Sequence, residues 1–262
     1  MKARPRTWLT IWVCLLTVGI PRGSAQELFM DHTQLVPAEL DAVYVKGLGF
    51  LGAQLTAAAG SQQDPRAFQP GVVGLAVVAF LAHGDDPNFG PYRVPIRAGL
   101  ESILANIDSQ SGYIGASMYN HGFATLALAE AYGAVDDPRL GPALRQAVDL
   151  ILQSQAQNSL GGWRYSPDSQ DADTTVSGAQ MVALIAARNA GISVPRDAIQ
   201  QGLAFYQKCA VPGGGFGYTN PSGPNNPRAA IGALVYALSK RKDTAEFAGA
   251  MKFLAQNPRS EE

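Results

Sequence analysis

The sequence predicts an all-α protein built from tandem helical hairpins, and three observations predict it. A short motif recurs at intervals of about fifty residues, and a second, more apolar motif recurs between its copies. The runs that carry them exceed ten residues and are rich in Ala, Leu and Met. A repeat period of this size marks stacked supersecondary units, each burying its neighbour. Run length and residue type decide between buried helix and buried strand in favour of helix.

The first series runs Gly47-Leu48-Gly49-Phe50-Leu51, then Gly99-Leu100 with Ile103-Leu104, then Ala147-Val148-Asp149-Leu150-Ile151. Gly202-Leu203-Ala204-Phe205-Tyr206 and Ala250-Met251-Lys252-Phe253-Leu254 complete it, with starts 52, 48, 55 and 48 residues apart. Its polar positions fall where an amphipathic helix meets water. The second series starts at Gly71, His121, Ser177 and Ala230 and is apolar almost all round, so its helices belong inside. Pro95, Pro142 and Pro195 stand near the starts of outer helices, where proline is tolerated. Gly84, Gly133 and Gly191 follow inner helices, where a left-handed cap belongs. The expected helices are 38–57, 70–83, 93–107, 120–132, 139–156, 175–190, 195–209, 228–239 and 243–256. Outer helix, Gly-rich turn and inner helix form the expected unit, giving four hairpins and an unpaired ninth helix.

The ends of the chain read differently. Lys2, Arg4 and Arg6 precede an apolar run from Leu9 to Ile20, and Gly23-Ser24-Ala25 follows it. That order is a secretory signal, so residues 1–25 are expected to be removed and the protein exported, to the periplasm or beyond. The run is too short to span a bilayer. Residues 26–37 read as an N-terminal segment, 38–256 as the repeat domain and 257–262 as a tail. Cleavage leaves 16 basic against 21 acidic residues, a formal charge of −5. A nucleic-acid partner needs a clustered positive field and is not expected. Cys209 is then the remaining cysteine; it forms no internal disulfide and reads as a small buried hydrophobe.

The loops after the outer helices carry their own signature. Gln153-Ser154-Gln155 is followed by Gly161-Gly162-Trp163-Arg164-Tyr165; the next copy ends Gly213-Gly214-Gly215-Phe216-Gly217-Tyr218, and an earlier, thinner one reads Gly112-Tyr113-Ile114-Gly115. Glycine turns the chain sharply and the aromatic packs back onto the helices. No Lys-Ser or Lys-Thr follows, so these are not nucleotide-binding loops. Gln155 through Trp163, with the outer helix before it, resembles the glutamine–tryptophan repeat of squalene cyclases and of prenyltransferase β-subunits. The resemblance covers nearly all of residues 38–256, and only one copy has the full Gln…Gly-Gly-Trp form. It implies an α/α toroid whose inner helices surround a central cavity. With four to five hairpins, either the ring is open or something else completes it.

In such a toroid the loops entering the inner helices gather at one rim. Tyr119-Asn120-His121, Asp171-Ala172-Asp173-Thr174 and Asn226 with Arg228 lie there, and Gln69 precedes the first inner helix. By resemblance to the Asp-any-Asp-Asp motif of class II terpene cyclases, Asp173 would be the acid and Asp171 its neighbour. Two close carboxylates hold a proton between them. Thr174 stands where that motif has its last Asp. The plainer role for Asp173 or Thr174 is to cap the following helix. His121 reads either as a strut between loops or as a base at the rim. Prenyltransferases bind zinc through Asp, Cys and His; no cysteine lies near this Asp motif, so no metal or other cofactor is expected.

Three functions follow. The first is an exported toroid that binds an apolar or polypeptide ligand at the rim without catalysis, through Tyr119, Asn120, Trp163, Tyr165, Thr174, Asn226 and Arg228. Self-association, or a partner protein, would complete the ring. The second is a terpenoid cyclase or prenyltransferase-like enzyme using Asp173, Asp171 and His121. The third is a carbohydrate-active helical barrel.

Overall fold

The computed structural model describes residues 37–59 and 69–258. The signal segment, most of the N-terminal segment with His32, and the last residues of the tail lie outside them. Nine α-helices are described: α1 Ala38–Ala59, α2 Pro70–His83, α3 Arg93–Ala105, α4 Met118–Ala131, α5 Leu140–Gln157, α6 Thr174–Asn189, α7 Arg196–Cys209, α8 Asn226–Leu238 and α9 Ala245–Gln256. Among the described residues there are three isolated bridges and no strands. The chain divides into two compact units inside α1, after Tyr44, so the repeat body begins at Val45. No described helix is long and apolar enough to cross a membrane.

The expected helices are present, with no end displaced by more than two residues. The larger displacements have a cause in the caps. Ser117 accepts from the Asn120 amide and Asn225 from the Arg228 amide, which draws α4 and α8 two residues earlier than their apolar patterns begin. Pro227 then sits in the first turn of α8, where its missing N–H costs nothing.

Helices α2, α4, α6 and α8 stand side by side as an inner row, and each outer helix packs on the inner helix before it. The hairpins are therefore α2–α3, α4–α5, α6–α7 and α8–α9. This shifts the expected unit by one helix: α1, not α9, lacks a hairpin partner. Loop length explains it. The links inside these hairpins are short, whereas residues 106–117, 158–173 and 210–225 form the long Gly-rich loops between them.

One position sets the spacing of the inner row. Counting five residues on from the caps Gln69, Ser117 and Asp173 gives Gly74, Gly122 and Gly178. A Cβ on Gly74 would lie 2.5 Å from the Phe123 carbonyl oxygen of α4; on Gly122, 2.5 Å from Gln180 of α6; on Gly178, 2.3 Å from Ile231 of α8. Each inner helix thus receives the next one where a side chain is missing. In α6 the buried stretch runs unbroken from Val176 to Ala187.

Two of the inner helices, α6 and α8, end alike. Gly191 has φ +90°, its N–H bonds Arg188 O, and the Ile192 N–H bonds Ala187 O, a left-handed cap that satisfies the last carbonyls. α8 makes the same two bonds, from Lys240 to Ala237 and from Arg241 to Tyr236, with Lys240 in the left-handed position at φ +59°.

Candidate functional site

The Gly-rich loops reach backwards along the row. Tyr165 O accepts from the Met118 N–H at the start of α4, and Tyr218 O accepts from the Thr174 N–H at the start of α6. Each loop thereby places its phenol over the entrance of the inner helix one repeat earlier. Trp163 and Phe216, two residues before these tyrosines, are the buried plugs, with 1% and 0% of their surface exposed. Trp163 Nε1 donates to Ile151 O at 2.9 Å. Gln155 holds the loop down by donating to Gly161 O and to Ala198 O at the start of α7.

The result is a row of aromatic rings along the rim. Phe123 stacks on Tyr119 at 6.4 Å, Tyr119 lies 6.0 Å from Tyr165, and the Tyr165 and Tyr218 hydroxyls share a 2.5 Å hydrogen bond. The Arg164 guanidinium sits between the last two, 5.0 Å from the Tyr165 ring centre and 5.2 Å from that of Tyr218. Arg228 approaches the Tyr218 ring at 5.7 Å. Tyr165 is the outermost ring, 48% exposed.

The carboxylates divide their work. Asp173 is fully buried and caps α6: one oxygen accepts from the Thr175 and Val176 amides at 2.9 and 2.8 Å and from the Thr175 hydroxyl at 2.7 Å. Its other oxygen lies 3.4 Å from Arg164 Nε, and Asp171 meets Arg164 at 3.1 Å from the solvent side. The Thr175 hydroxyl also bonds the Tyr119 phenol at 2.5 Å. Burial raises the pKa values of the Tyr119 and Tyr218 phenols, for Tyr218 together with its bond to Tyr165, so both remain protonated donors at neutral pH.

The rim thus assembles Tyr119, Tyr165, Arg228, Asp171 and Asp173. Other expected site residues are spent elsewhere. His121 is fully buried; its Nδ1 accepts from the Ile114 amide at 3.1 Å and its Nε2 donates to Ala147 O at 3.0 Å. Burial pushes its pKa down to about 4, so it is a neutral strut. The Asn120 side chain accepts from the Gly71 amide, Thr174 donates to Gly217 O, and Asn226 donates to Asn257 O. Arg164, Tyr218, Thr175 and Phe123 were not anticipated from the sequence. Tyr165 and Tyr218 do occupy the same place in their loops, two residues beyond the buried ring, and that register is the signal that points to both. Among the described residues, no three His, Cys, Asp or Glu side chains gather as a metal ion needs.

A family model described as a domain of unknown function, DUF6288, matches residues 52–261. The chain belongs to that family. No curated protein matches the sequence. Among solved structures it is similar to a polysaccharide lyase: 12% identity, 78% of this chain and 67% of that one covered, TM-score 0.51. At that identity the likeness concerns the fold, and it agrees with the toroid-like arrangement of helices described here for this DUF6288 member.

Proposed function

We propose that the rim binds a saccharide carrying an acidic group, without covalent chemistry. The observation that carries this reading is the Arg164 guanidinium held between the Tyr165 and Tyr218 rings, with Tyr165 half exposed beside it. Sugar rings present C–H faces that pack on aromatic surfaces, and hydroxyls that pair with fixed donors and acceptors. The rim offers both: the phenol row, and Asp171 at the solvent edge. The acidic group is assigned to Arg228. Arg164 is balanced by two carboxylates, whereas among the described residues Arg228 has none within ion-pair distance. It also stands in the first turn of α8, where the helix dipole disfavours a cation, a cost that an anionic ligand removes. The solved structure with a similar fold is named as a polysaccharide lyase, and export of this chain would bring it to such polymers.

The terpenoid reading has less to stand on. An alkene-protonating acid needs a carboxyl open to an apolar cavity, and Asp173 is committed to amides, Thr175 and Arg164. Kinship with the squalene cyclase repeat remains part of our reading, supported by Gln155 and Trp163 bracing loop and helix as one unit.

Calorimetric titration with uronate-containing and neutral oligosaccharides tests the proposal. Acidic oligosaccharides are expected to bind, with affinity falling at least tenfold in Tyr165→Ala and in Arg228→Gln while thermal stability changes little. Absence of binding across the panel, or binding indifferent to both substitutions, refutes it.

A further inference from the structure

The inner row is built from one junction used three times. At each junction the leading helix offers a groove at the position five residues beyond its cap, flanked by the residue nine beyond. The following helix presses on that groove at six to seven residues beyond its own cap, through Phe123, Ala179 with Gln180, and Ile231, one turn after the residue three beyond. At the Gly122 and Gly178 grooves the flank is closed, with Leu126 and Val182, nine beyond Ser117 and Asp173, 9% and 8% exposed, and at the Gly74 groove Val78 is half-buried. The facing turns are covered as well: Asn120 and Val176, three beyond Ser117 and Asp173, are 6% and 0% exposed, and Phe123, Arg228 and Ile231 are half-buried.

Both faces reappear, open, at the ends of the row. On α2 the facing positions are Val72 and Leu75, 60% and 46% exposed. On α8 the groove position is Ala230, exposed, and its flank is Leu234, 44% exposed. Leu238, one turn further, is 38% exposed. Terminal units of a repeat array ordinarily carry a polar outer face, because nothing follows them. These two carry large aliphatic side chains on the faces that the interior helices bury.

We propose that these faces cover each other between copies, the α8 end of one chain docking on the α2 end of the next. The occupant is argued from the molecule itself. The two open surfaces are the two halves of a junction this chain already makes, and Ala230 is the smallest departure from the glycine of the other grooves. Such an interface is heterologous: each copy uses one half and leaves the other available. The assembly grows until the rotation per copy closes a ring, and forms an open filament if it does not close.

The test is sedimentation of the full chain over a concentration series, beside two variants, Val72→Glu with Leu75→Glu, and Leu234→Glu. The wild-type chain is expected to associate as concentration rises, and each variant is expected to sediment as one copy with unchanged helical circular dichroism. An equimolar mixture of the two variants is expected to give a two-copy species and nothing larger, since it retains one intact face of each kind. A wild-type chain that stays single overturns the proposal. So does a mixture that stays single, or a variant that associates as the wild type does, because an isologous or unrelated contact would then be responsible. A variant with altered circular dichroism is replaced by Leu75→Gln or Leu234→Gln, read in the same way.

Discussion

His121 shows how a residue that reads as chemistry in the sequence becomes structure. Its place at the mouth of an inner helix suited a base or a ligand contact, and nothing in the local sequence revealed that Ile114 N–H and Ala147 O would meet its two nitrogens. Those partners come from a loop and an outer helix brought together by the fold. The consequence can be measured. Its pKa in the folded protein is lowered to about 4 by burial, against about 6.5 when exposed. A depressed histidine contributes stability that is complete above the unfolded value and is lost as pH falls from 6.5 toward 4, because the unfolded chain takes up the proton first. The loss amounts to roughly 3 kcal/mol over that interval. Urea unfolding of wild type and His121→Gln across it is expected to show a pH slope in the wild type that is shallower in the variant. Parallel slopes would mean that His121 is not the group responsible. Asp173 lies at the opposite extreme, since an Asp before an apolar helical run announces a cap and the structure uses it as one.

At the scale of elements, the helices were legible because each writes its period over more than ten residues. The pairing of those helices was not, since it depends on which connection is short enough to close a hairpin. The Gly-rich loops were legible as turns, but their reach to the previous repeat was not. That reach rests on backbone bonds from Met118 to Tyr165 and from Thr174 to Tyr218, which leave no mark on side-chain pattern. The rim was therefore readable as a place and only partly as a set of residues. Trp163 is the element's anchor: 1% exposed, with its indole N–H bonded to Ile151 O. Trp163→Ala is expected to destabilise the protein by about 3–5 kcal/mol, the range for emptying a large aromatic site. Denaturant titration monitored by circular dichroism measures it, and a change below about 1 kcal/mol would show that the loop refills the space.

Across the whole molecule, stability follows position in the row. The centre is sealed on both sides and the ends on one: α6 is buried from Val176 to Ala187, whereas α8 at the end of the row buries only Ala229, Gly232, Ala233, Val235 and Tyr236, and its outer partner α9 buries Ala250 alone. In stacked repeats each unit is held by its neighbours, so opening starts where a neighbour is missing. Amide hydrogen exchange is expected to be slowest in α6 and α4 and fastest in α9; uniform protection would show that the array opens only as a whole. Cys209 lies where such opening is visible. Its thiol is fully covered by Ala172 of the Asp-rich loop and by Phe205, and burial lifts its pKa to about 11. The chain thus carries a native reporter beneath its own rim. A thiol reagent in solution finds Cys209 only when the loop over α7 lifts, so the labelling rate counts those excursions. A ligand that clamps the loop would quiet the signal without touching the sulfur.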